Sequence, residues 1–201
     1  ACGGTIDYDS DTVTGSLSFA PTEITKTFTV TICDDTTFED PEIIKLALSV
    51  TSGNATNGTN MTTSITIADN DPPPNLTYTV SSAGGSSPTE PGGLGATFNM
   101  VIDFNLSAVS GKNVTFIFAT APNTASEGLD YVGRPPPGDL ITILSGATTA
   151  NKQITLKGDL LNELNETFLV NFSNITNATM TSANPLVVTI VDDGDTPPAA
   201  T

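Results

Sequence analysis

The chain matches itself. Shifted by 124 residues, the segment 31–49 (TICDDTTFEDPEIIKLALS) falls on 155–173 (TLKGDLLNELNETFLVNFS), so that Asp35 meets Asp159, Glu39 meets Glu163 and Glu42 meets Glu166. Within one residue of the same shift, Asp7-Tyr8 of GTIDYD falls on Asp130-Tyr131 of EGLDYV, and ITIADND at 65–71 falls on VTIVDDGD at 188–195. A pattern that occurs twice in 201 residues describes a small module, and both copies must place their acidic residues alike.

The periodicity inside each copy is that of strands. In the first copy, residues 16–19 and 25–32 alternate polar and apolar about Ala20-Pro21-Thr22, which predicts a hairpin with Leu17, Phe19, Phe28, Val30 and Ile32 facing a core. Residues 42–50 and 62–68 predict two further strands, and Asp69-Asn70-Asp71 closes the copy. The second copy adds three strands before its Asp-Tyr turn, at 76–80, 96–105 and 113–119, for which the first copy has no counterpart. No segment sustains a helical period, and 17 Gly and 14 Pro suit a chain of strands and turns. Pro135-Pro136-Pro137 is an insertion of the second copy and predicts a rigid exposed loop.

Residues 32–42, ICDDTTFEDPE, hold Asp34, Asp35, Glu39, Asp40 and Glu42. Carboxylates that close repel one another unless a cation sits among them. Calcium takes six to eight oxygen ligands and needs neither His nor Cys, so such a loop suits it; a solvated acidic turn is the alternative.

A Gly turn before Asp-Tyr, a strand ending in D-D-x-x-x-E, a following strand of E-x-F/I-x-V/L-x-L-S type and a last strand closing in I-x-D-[ND]-D together resemble the Calx-beta domain family. That resemblance implies two tandem immunoglobulin-like antiparallel β-sandwiches, all-β, with calcium held at one end of each. It implies ligands Asp7, Asp34, Asp35, Glu39, Asp69 and Asp71 in the first module. In the second it implies Glu90, Asp130, Asp159, Glu163, Asp192 and Asp193, as a weaker site, because Gly158 replaces the first Asp of the pair and Gly194 interrupts the closing run. The family fold would bring Cys2 and Cys33 to the same end and implies a disulfide; a free buried Cys33, or a partner cysteine in strands the first copy lacks, stays open. The implied boundaries are 1–71 for the first module, 72–75 for a proline-rich linker, 76–195 for the second module and 196–201 for a linker or tail.

Charge and composition narrow the function. Against 22 acidic residues stand six basic ones, a net charge of −16, so no basic stripe exists to replace phosphate counterions and nucleic acid is not an expected partner. His and Trp are absent, which removes the usual general base and a main aromatic platform. The carboxylates form dense clusters rather than the isolated cleft pair of glycoside hydrolysis, so no enzymatic activity is expected. No stretch is apolar enough for a membrane span.

Sequons are the other strong signal. Asn-x-Ser/Thr occurs at Asn54, Asn57, Asn60, Asn75, Asn105, Asn113, Asn165, Asn171, Asn174 and Asn177, ten of the sixteen Asn residues, in excess of what Ser and Thr content alone would produce. This predicts an extracellular or cell-surface glycoprotein. The resulting expectation is a structural or adhesive repeat, its modules stiffened by calcium, whose partners are neighbouring modules or subunits of the same protein. The alternatives are a calcium-sensing regulatory domain of the exchanger type, and a filament subunit. The strands missing from the first copy are accounted for either by a longer tandem array or by strand addition from a neighbouring subunit.

Overall fold

The computed structural model describes residues 2, 6–10, 13–53 and 55–196. The chain divides into two compact units between Pro72 and Pro73. The sequon at Asn54, the glycine of GTIDYD and the tail from 197 onward lie outside the described residues.

The first unit contains β1 (Glu42–Ala47) and β2 (Thr62–Ile67), paired antiparallel from Glu42↔Ile67 to Ala47↔Thr62. The hairpin expected over 16–19 and 25–32 does not form. Its one ladder contact is an isolated bridge between Tyr8 and Ile32, and Leu17, Phe19, Phe28 and Ile32 are exposed, with Val30 half-buried. The alternating pattern is present, but strands are stabilised by neighbours and by an opposing layer, and the described residues of this unit supply neither. β1 stops at Ala47, short of the expected 50, and Ile44 is the buried apolar side chain of the pair. Cys2 and Cys33 form a disulfide, and the Cys33 amide donates to the Asp7 carbonyl at 2.8 Å, which ties the chain start to the acidic loop.

The second unit is a complete two-layer sandwich. Its strands are β3 (Asn75–Val80), β4 (Thr97–Leu106), β5 (Val114–Pro122), β6 (Asp139–Ile143), β7 (Thr149–Lys157), β8 (Glu166–Thr176), β9 (Thr179–Met180) and β10 (Leu186–Ile190). One sheet runs β10-β8-β5-β6 and the other β7-β4-β3-β9. The proline-rich linker is shorter than expected: Pro74 is buried, its carbonyl accepts the Thr179 amide, and Asn75 already opens β3.

Strict alternation builds the core. In β4, Met100, Ile102, Phe104 and Leu106 point inward while the residues between them do not. Phe104 meets Phe116 edge-to-face at 4.8 Å and Phe172 at 5.8 Å, so one ring ties both sheets together. Phe104→Ala is expected to cost about 3–5 kcal/mol in chemical denaturation followed by far-UV circular dichroism, because those rings cannot collapse into the space left behind.

Candidate metal centre

Three segments meet at one end of the first unit. The Asp7 turn is held by the disulfide and by the Cys33 amide; the 33–41 loop leads into β1; and residues 68–71 leave β2. Their side chains line a single cleft that includes Asp7, Asp34, Asp35, Glu39, Asp69 and Asp71, all six of the expected ligands. Carboxylate oxygens of Asp7, Glu39 and Glu42 lie within 4.8 Å of one another, close enough to share one cation. Asx-type bonds shape the loops: Asp35 accepts the Thr37 amide at 2.7 Å, and Asp69 accepts the Asp71 amide at 3.3 Å. Asn70 donates its side-chain amide to Asp34 at 3.2 Å, so the neutral residue of the closing run serves as a partner to a carboxylate.

The second unit repeats the arrangement with two groups. Glu90, Asp192 and Asp193 form one, and Asp130, Glu163 and Glu166 the other, each with its oxygens within 4.8 Å. Backbone donors hold them: the Asp159 amide gives to Glu90 at 3.0 Å, the Glu163 amide to Asp192 at 3.2 Å and the Ser126 amide to Asp130 at 2.5 Å. Asp159 thus sits beside the first group, with its carboxylate turned back on the Leu161 amide at 2.7 Å. The structure groups Glu42 and Glu166 with carboxylates among the expected ligands. Both begin a strand, and the self-match aligns them, which is the signal that could have found them.

Burial and neighbouring carboxyl groups raise the pKa of glutamates in both units. Burial, reinforced by Asp7, Asp35, Asp69 and Asp71, raises Glu39 above the usual carboxylate range; a hydrogen bond with Asp7 and that residue's charge raise Glu42. Burial, then Asp159, Asp130 and Asp192, raise Glu163, while burial and a hydrogen bond with Asp130 push Glu166 up to about 7. The ion pairs Glu23–Lys26, Arg134–Asp139 and Lys152–Asp139 all lie outside these groups. Asp35 Oδ2, Asp193 Oδ1 and Asp195 Oδ2 are buried without a hydrogen-bond partner. Buried carboxylate oxygens are ordinarily satisfied, so these three fit a hard, oxygen-seeking cation.

Glu166 sets a pH dependence opposite to the usual acid denaturation. The folded chain holds its proton up to about pH 7 and the unfolded chain only to 4.5, so the fold binds the extra proton between those values. The stability this contributes is full below pH 4.5 and lost as pH rises through about 7. Chelator-treated protein is therefore expected to be more stable at pH 5 than at pH 8, by about 1–2 kcal/mol after allowance for the half-exposed position, in denaturation at both values. Calcium should reverse the order, since it competes with that proton.

The family model of the Calx-beta domain matches residues 4–71 and 99–194. Glu90 lies outside both matched segments. Among solved structures, the apo-form Calx CBD1 domain is 20% identical with a TM-score of 0.47, over 60% of this chain and 97% of that one. CBD12 from CALX1.2 is 21% identical with a TM-score of 0.47, over 59% of this chain and 45% of that one. The calcium binding domain CBD12 of CALX1.1 is 21% identical with a TM-score of 0.43, over 53% of this chain and 41% of that one. No curated protein matches the chain.

Proposed function

The chain belongs to the Calx-beta domain family, and from that premise we propose that its two units are calcium-binding modules of an extracellular structural or adhesive repeat protein. The observation that carries calcium is the convergence, at one end of each unit, of carboxylates that include buried oxygens with no hydrogen-bond partner. Calcium would join segments distant in sequence, stiffening the end of a module where three loops otherwise repel one another. Sequon density and net charge support a solvated, glycan-bearing surface over a cytosolic regulatory one. Isothermal titration of chelator-treated protein tests this: heat of binding for calcium that persists in excess magnesium is expected, and no heat at millimolar calcium would end the reading.

A filament completed by strand donation has its own supporting observation. By the self-match, β1 corresponds to the start of β8 and β2 to β10, and in the second unit β8 is flanked on its other side by β5. Among the described residues nothing pairs with that other edge of β1, and Phe19, Phe28 and Leu48 are exposed. Free edges recruit strands. Sedimentation of the native protein distinguishes the readings: concentration-dependent polymers favour donation, and a stable monomer excludes it.

A further inference from the structure

The second unit has two unlike ends. Glu166 pairs with Ile190, and Thr97 with Lys157, so the start of β8, the end of β10, the start of β4 and the end of β7 share the carboxylate end. At the other end Thr115 pairs with Thr176, Asn75 with Thr179, Leu76 with Leu106 and Val114 with Ile143. Five sequons gather there: Asn75 opens β3, Asn105 lies one residue before the end of β4, Asn113 precedes β5, Asn174 lies near the end of β8 and Asn177 follows it. Along β8 the two ends are about 30 Å apart. Asn165 alone lies at the carboxylate end, where its Oδ1 accepts the Asp192 amide at 3.2 Å.

These five sequons also touch one another. Thr77 Oγ1, from the Asn75 sequon, donates to the Asn105 carbonyl at 3.2 Å; Ser107 Oγ, from the Asn105 sequon, accepts the Asn75 amide at 2.9 Å. Thr115 and Thr176, the hydroxyl residues of the Asn113 and Asn174 sequons, are bonded at 2.7 Å, and Asn177 Nδ2 donates to the Asn113 carbonyl at 2.8 Å. Asn75, Asn113 and Asn174 are exposed, and Asn113 spends its side-chain oxygen, not its nitrogen, on the Ser145 amide. The first unit has the same polarity. Asn57 and Asn60 are exposed in the β1–β2 connection, at the far end of those strands from Glu42 and Ile67.

We propose that the end of the second unit opposite its carboxylates is an N-glycan-bearing pole, carried by Asn75, Asn113 and Asn174. The co-reactant is a lipid-diphosphate-linked oligosaccharide. The Asn amide nitrogen bonds to the anomeric carbon, the anomeric C–O bond to the diphosphate breaks, the lipid diphosphate departs and the amide gives up one proton. The second amide proton remains, so a modified Asn can still donate a hydrogen bond. Glycans so placed cover the pole that lies about 30 Å from the carboxylates. The inference rests on the extracellular reading and specifies its modified surface.

The test is enzymatic release of N-glycans from native-source protein in heavy-oxygen water, followed by peptide mass spectrometry, since each released site becomes a labelled Asp. Label at Asn75, Asn113 and Asn174 is the expected result. Label confined to Asn165 or Asn171 overturns the pole while leaving the extracellular reading intact. Absence of label in protein recovered from the extracellular fraction overturns the pole alone and leaves the interlocked hydroxyls a purely structural role; absence of label in cytosolic protein overturns both.

Discussion

Saturating calcium is expected to raise the thermal midpoint of the second unit by about 10 °C, and Glu163→Gln to remove most of that rise. A ligand at a hundred times its dissociation constant adds about 2.7 kcal/mol to the folded state. For a unit of this size each kcal/mol is worth about 3–5 °C. The diagnostic is a change of sign. Glu163 is raised by burial and by Asp159, Asp130 and Asp192, so without metal its charge opposes folding, and Glu163→Gln should make the chelated protein slightly more stable than the parent. With calcium the same substitution removes a ligand and leaves the variant less stable than the parent. Asp103→Asn, on β4 away from both carboxylate groups, is the control and should leave the calcium shift unchanged. A Glu163→Gln protein with a full calcium shift would remove Glu163 from the site.

The second unit was legible in the sequence because its signals agree. β4 alternates for ten residues, its inward positions are all large and apolar, and partners exist on both sides, so the pattern and the packing say the same thing. The first unit shows what alternation leaves undecided. Residues 25–32 carry a pattern as clean as that of β7, onto which they map, but β7 pairs with β4, and among the described residues no strand pairs with 25–32. Periodicity records which face would be buried; whether it is buried depends on what lies opposite. The carboxylates were legible for a different reason. The self-match aligned Asp7, Asp35 and Glu39 with Asp130, Asp159 and Glu163, and the family resemblance supplied the rest of the ligand sets. Glu42 and Glu166 were aligned by the same self-match but left out of the ligand sets, because they stand at strand starts, where a charged residue reads as an ordinary solvated end.

Gly158 is where the sequence pattern and the structure part most sharply. By family pattern an Asp belongs there, and its absence reads as a missing ligand; the first unit does carry Asp34 at the matching position. In the fold Gly158 is buried, its amide donates to Ala96 and its carbonyl accepts from Gly95, both at 3.0 Å, and a Cβ would fall deep inside the Pro91 carbonyl. The loop pressed against it is the one that carries Glu90 into the site. At this place the second unit thus has the Glu90 loop where a side chain at 158 would lie. Gly158→Asp is therefore expected to weaken calcium binding rather than restore it, and to cost at least about 2–3 kcal/mol by forcing the loop outward. Gly158→Ala separates the steric effect from charge and should show most of the same loss. Calorimetric titration beside chemical denaturation decides it: an Asp variant that folds as well as the parent and binds calcium more tightly would mean that the loop yields and that Gly158 is only a ligand lost.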